Sequence, residues 1–257
     1  MSQNRASMLD RPVAQTFFRY GLPWSAAFLL LSSAGLVDTI FIGRYVGAQA
    51  LAAVNIVSPV FSIFFGMGVM LSVGGTVRSA HHVGRGDLRA ASAVFGRTML
   101  LILLAGLVLA LLSLLFRPLL LALLGTDGDV MRPSHQYLTT ILLFSPVLPA
   151  SYALSQFARV DQHPTLASLG LILSAAVNIF LDYLFIARFG WGVQGAALAT
   201  GLGFGCTLLL FMIHFLSRRA LLRLTLKGCG WREILRASLN GSAESINEIS
   251  VGSIILL

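Results

Sequence analysis

The chain predicts an all-α integral membrane protein, a six-helix transmembrane bundle followed by the start of a seventh helix. Three observations carry that expectation. The composition is apolar, with a mean hydropathy of +0.84, 56% hydrophobic residues and only 11% charged, against roughly 25% charged in soluble domains. The few charges also fence off long uncharged runs. Arginines at positions 44 and 78 bracket 33 uncharged residues, 97 and 117 bracket 19, 132 and 159 bracket 26, and 188 and 218 bracket 29. A helix needs about 20 apolar residues to cross the hydrocarbon, so each bracket holds one span. Finally, the basic residues are sided. With a cytoplasmic N-terminus, 14 Arg and Lys face inward and 4 outward (Arg44, Arg117, Arg132, Arg188), as the positive-inside rule requires.

The elements follow in order. Residues 1–21 read as a cytoplasmic tail. Span one covers 22–43 and is broken by Asp38 alone; it starts around Pro23, whose missing N–H costs nothing in a first turn. Trp24 and Trp191 suit interfacial belts. Span two, 48–77, contains Pro59 and the small-residue run Gly66 to Gly68, tolerable where neighbouring helices satisfy the freed backbone groups. A basic, Gly-punctuated turn, HHVGRGDLRAAS, leads to span three, TMLLILLAGLVLALLSLLF, whose only polar groups are Thr98 and Ser113. That helix should face lipid along much of its surface. The connection 117–136 mixes an apolar and a polar half and should lie along the interface. Span four carries Pro146 and Pro149, RVDQHP turns the chain, and spans five (162–187, broken by Asp182) and six are joined tightly through RFGWG. Residues 218–233 alternate Leu with Arg or Lys and read as a surface-lying cytoplasmic linker. A seventh run starts near Ile234.

Other signals are quieter. The net charge of +8 follows from topology and needs no nucleic acid. Cys206 falls in a predicted span and Cys229 in a loop, which argues against a disulfide, and the five histidines show no metal spacing.

A carboxylate inside the bilayer costs about 2.5–3.5 kcal/mol on insertion scales, so its default reading is functional. Asp38 and Asp182 each lie six residues before an arginine at the outer boundary, roughly 9 Å of helix rise, and so sit at matched depth. Asn178 is one helical turn before Asp182, and Thr200 reaches comparable depth on span six. Carboxylates, an amide oxygen and a hydroxyl make a hard-cation site, or a proton site. The surroundings repeat as well. DTIFIGRYVGAQALAAVN and DYLFIARFGWGVQGAALAT align with one insertion, pairing Gly47 with Gly192, Gln49 with Gln194 and Asn55 with Thr200. That is the pattern of a duplicated hairpin of spans. In span seven, Glu244 and Glu248 are one turn apart. They suit either a second cation or substrate site or simply a polar face at the inner mouth.

Taken together, VDTIFIGRYVGAQALAAVNIVSPV, LLGTDGDVMRPSHQYL, NIFLDYLFIARFGWGVQGAALAT and NGSAESINEIS resemble the multidrug and toxic compound extrusion (MATE) transporters of bacteria. The resemblance implies twelve spans in two six-helix bundles, with residues 22–217 as the N-lobe and 234–257 as the first helix of a truncated C-lobe. It implies a multi-pass protein of the bacterial cell membrane that is not an enzyme and uses no cofactor. Export of cationic, lipophilic compounds in exchange for H⁺ or Na⁺ is expected, by a monomer once the second lobe is present. Carried over by motif, the coupling site is Asp38, Asn178, Asp182 and Thr200, with no metal beyond Na⁺ there. A lipid or oligosaccharide flippase of the wider superfamily is the alternative. No Arg or Lys falls inside the first six predicted spans, which favours cationic or neutral cargo. An intramembrane aspartyl protease would carry YD and GxGD where this chain has LVDT and FLDY, and a channel would need polar residues along span three.

Overall fold

The computed structural model describes residues 13–227 and 230–254; residues 1–12, with Arg5 and Arg11, and also Cys229 and residues 255–257, lie outside the described part. The first helix, α1 (Val13–Phe41), begins well before position 22 and continues into a π turn, Ile42–Val46. The part of it long and apolar enough to cross a membrane is Ser25–Val46, so the span starts later than the helix that contains it. Then come α2 (Ala48–Gly84), α3 (Leu88–Leu115), the short α4 (Arg117–Leu123), a 3₁₀ turn at Gly128–Val130, α5 (Met131–Leu143) and α6 (Val147–Val160). Helix α7 (Pro164–Asp182) runs into a second π turn, Tyr183–Arg188, before α8 (Gly192–Leu216), α9 (Trp231–Leu239) and α10 (Ser242–Ile254).

Five helices are long and apolar enough to cross a membrane, and α5 with α6, bent by 45° at Pro146, form the sixth. Proline cannot donate to the preceding turn, so the bend falls where the sequence removes that bond. Helix α2 packs against α3, α5, α6, α9 and α10, while α1 packs against α7 and α7 against α8. Two aromatic-rich cores result. Phe95, Phe157, Phe211 and Phe215 fill the arginine-rich end, and Ile42, Val57, Tyr137, Leu138 and Ile186 fill the other. Along α3, Leu104, Leu107 and Leu111 are about half exposed, as expected of a lipid-facing helix.

The predicted seventh span is divided. Helix α9 starts at Trp231, inside the predicted linker, and ends before Asn240–Gly241, where α10 begins afresh. Gly241 sits against the Met70 backbone, and a Cβ there would come 2.9 Å from Met70 C, so the close approach that docks this corner on α2 also interrupts the helix. The linker is an extended strap. Arg223 N donates to Ser92 Oγ (3.1 Å), Arg97 Nε and Nη2 donate to Leu226 O (2.9 and 2.7 Å), and Leu222 is fully buried while Leu224 and Leu226 are exposed.

Candidate functional site

Asp38 lies three residues before the end of α1, and Asp182 is the last residue of α7, so each precedes a π turn. Both turns are built by hydrogen bonds spanning five residues: Gly47 N donates to Ile42 O and Phe189 N to Leu184 O, each at 3.0 Å. Four residues beyond each aspartate stands a buried isoleucine, Ile42 and Ile186, and the two π turns pack against each other. The return from the first turn passes through Gly47 at φ 114°, and from the second through Gly190 at φ 67° and Gly192 at φ 59°. The sequence repeat is thus a repeat of backbone geometry, down to the glycines that the left-handed turns demand.

This arrangement aims both carboxyl groups at each other. Asp182 is fully buried, and beyond the contact of the two carboxyl groups with each other neither of its oxygens, nor Oδ1 of Asp38, has a hydrogen-bond partner among the described residues. A cavity of about 250 Å³ opens beside them, lined by Gly35 and Asp38 of α1, Tyr137 of α5, Asn178 of α7, and Thr200 and Phe204 of α8. Across it, Asn178 Nδ2 donates to Thr200 Oγ1 at 3.3 Å, leaving the amide oxygen of Asn178 to accept. The four predicted residues therefore meet: three line the cavity and Asp182 stands behind Asp38. Chemically, two facing carboxylates without donors in a low-dielectric site need a proton between them or a cation bridging them.

Sequence reasoning missed Tyr137, which is buried with its hydroxyl in the electrostatic reach of both carboxylates. The depth argument could have found it, because Tyr137 lies five residues inside Arg132. Asn55, aligned with Thr200 in the repeat, is exposed instead and stands outside the cavity wall.

Glu244 and Glu248 of α10 line a second cavity of about 460 Å³ with Tyr152, Gln156 and Arg159 of α6. Gln156 Nε2 donates to Tyr152 Oη at 2.7 Å. Arg159, expected at the inner boundary, occupies the last turn of α6 and forms part of the same wall as the glutamates. Ser174 and Phe204 belong to the walls of both cavities, so the two spaces meet there.

A helical membrane bundle with buried acidic groups around polar cavities is the architecture of a solute transporter. The comparisons place it: the MatE family model matches residues 23–184, and the chain belongs to that family. It is 28% identical over 216 residues to the multidrug export protein MepA of Staphylococcus aureus (strain bovine RF122 / ET3-1), covering 84% of this chain and 48% of that protein. Among solved structures it matches a MATE family multidrug resistance transporter in an outward-facing conformation with a TM-score of 0.83 and 26% identity, over 91% of this chain and 52% of that one. The inward-facing conformation of a MATE family transporter matches with a TM-score of 0.81 and 26% identity, over 88% and 52%. The chain spans about half the length of the relatives it matches. Its fold fits the inward-facing and the outward-facing relative almost equally, with TM-scores of 0.81 and 0.83.

Proposed function

We propose that the complete two-lobe transporter exports cationic, lipophilic compounds from the bacterial cell in exchange for H⁺ or Na⁺, and that Asp38, Asn178, Asp182 and Thr200 form the coupling site, with Tyr137 beside them. The observation that carries the reading is the facing carboxylate pair. Three of its oxygens are buried with no partner beyond the pair itself, at the edge of a cavity whose other polar walls are the Asn178 amide and the hydroxyls of Tyr137, Ser174 and Thr200. A proton or Na⁺ entering there supplies what those oxygens lack, and its departure leaves two charges that repel. Spans one and five would then part, altering the cavity they share with spans four and six.

The second cavity holds cargo. Two glutamates against one arginine leave it net acidic, which suits a cation with apolar bulk more than a lipid phosphate or an anionic oligosaccharide. The N-terminus is cytoplasmic, the working unit is a monomer, and the second six-helix lobe closes the far side of the cargo space.

The test is export of a cationic dye from proteoliposomes containing the complete transporter, under an imposed pH gradient and separately a Na⁺ gradient. Export under one gradient, lost in Asp38→Asn, supports the proposal and identifies the ion. Export that needs neither gradient overturns coupling. Movement of a labelled lipid instead of dye would place the protein with the flippases.

A further inference from the structure

Three chemistry-bearing side chains meet at the arginine-rich end, outside both cavities: Asp161 and His163 in the turn between α6 and α7, and His214 in the last turns of α8. The histidines have no metal spacing along the chain, because His214 lies 53 residues from Asp161, yet one ligand atom from each of the three residues lies within 4.8 Å of the others. We propose that Asp161, His163 and His214 form a site for a borderline divalent transition metal, with Zn²⁺ as the fitting ion.

The turn is built for convergence. Gln162, between the two turn ligands, has φ 67° and is the only non-glycine residue with positive φ among those described. Such a conformation costs of order 1–3 kcal/mol and persists where surrounding structure enforces it. Here it bends the chain so that His163 Nδ1 comes to 3.1 Å from Asp161 Oδ2, while His214 Nε2 approaches the same oxygen at 2.7 Å. The two rings meet edge to face with centroids 4.5 Å apart.

The donor set is two neutral imidazoles and a carboxylate, the three-ligand complement of open zinc sites and one that also accepts Co²⁺ and Ni²⁺. An outer support is in place. Leu222 N, from the strap, donates to Asp161 Oδ1 at 2.7 Å, fixing the carboxylate so that Oδ2 faces the rings. The Asp161 side chain is fully buried and that of His214 is 13% exposed, whereas that of His163 is 44% exposed, so the ion has an entrance and water a fourth position. Without metal, His214 Nε2 hydrogen-bonds to Asp161 Oδ2 and His163 Nδ1 to the Asp161 carbonyl oxygen, each at 2.7 Å. On binding, each ring gives up any proton on its ligand nitrogen, to its far nitrogen or to solvent, and presents a lone pair there. Two of the three ligand separations, 2.7 and 3.1 Å, lie within a few tenths of an ångström of the roughly 3.3 Å edge of a tetrahedron with 2.0–2.1 Å arms, and the third is within 4.8 Å. The bound ion would tie the α6–α7 turn to the end of α8 and, through Leu222, to the strap that leads to α9.

The test uses the complete transporter in detergent, freed of metal with a chelator and titrated with Co²⁺, whose visible absorption reports coordination, and then with Zn²⁺ in competition. The expected result is one Co²⁺ per chain. Its affinity should fall by roughly 10–100-fold or more in His163→Ala and His214→Ala, and remain unchanged in His135→Ala. Zn²⁺ should also slow tryptic cleavage at Arg223 in the wild type but not in His163→Ala. Since His163 is the most exposed ligand, its variant keeps the test independent of folding. Co²⁺ binding equally strong in His163→Ala, or absent from the wild type, overturns the proposal and leaves a hydrogen-bonded Asp–His pair.

Discussion

Asp182→Asn should stabilise the protein while abolishing coupled export. In the wild type the Asp182 side chain has no exposure, and both its oxygens and Asp38 Oδ1 lack any partner beyond the pair itself among the described residues. Asparagine keeps the shape and offers Asp38 a permanent N–H where the wild-type pair depends on a shared proton or a cation, so the gain is read at alkaline pH without Na⁺, where the wild-type pair carries both charges. A hydrogen bond to a charged group contributes about 1.5–3 kcal/mol. At 2–4 °C per kcal/mol for a chain of this size, Tm should rise by roughly 3–12 °C. Thermal unfolding in detergent, followed by intrinsic fluorescence, measures that rise, and dye export in proteoliposomes measures the loss. A structural carboxylate would behave in the opposite way. If Asp182→Asn lowers Tm and leaves gradient-driven export intact, Asp182 is held by donors that this arrangement does not contain, and the coupling site lies elsewhere.

Three further outcomes are expected. Gly96→Ala would place a Cβ 2.8 Å from Thr225 N and 2.9 Å from Thr225 C, so it should prise the strap from α3, cost about 1–3 kcal/mol and speed tryptic cleavage at Arg223 and Lys227. Gly47→Ala, at φ 114°, should cost about 1–3 kcal/mol in thermal unfolding; Gly43→Ala, with only Leu51 Cδ2 nearby at 3.9 Å, should be near neutral. Glu248→Gln should weaken binding of a cationic dye, measured by fluorescence polarisation, roughly 10-fold, while a neutral analogue of similar size binds as before.

The sequence was most legible where one physical rule dominates. Hydrocarbon thickness defines the spans, and the expense of a buried charge singles out Asp38 and Asp182, because they are the only carboxylates inside the first six predicted spans. The alignment of Gly47 with Gly192 survived as a matching pair of left-handed turns. What escaped depends on contacts between distant elements. Tyr137 is an ordinary tyrosine until α5 lays it against the two aspartates. Arg159 reads as a boundary residue until the fold sets it in the wall of one cavity with Glu244 and Glu248. The break before α10 follows from a backbone contact between Gly241 and Met70, and the meeting of His163 with His214 from one strained torsion at Gln162.

The paired π turns give these helices a means of adjustment that a straight helix lacks. A π turn holds a surplus residue, and moving that surplus along the helix rethreads hydrogen bonds one at a time, without a break in the rod. If the widened turn at Ile42–Val46 travelled inward past Asp38, the carboxylate would swing by about 100° around the helix axis, the angle that separates consecutive residues. The same slide at Tyr183–Arg188 would carry Asp182 the other way across the contact. Two helices whose surplus turns touch would thus turn their acids toward or away from each other without breaking either rod.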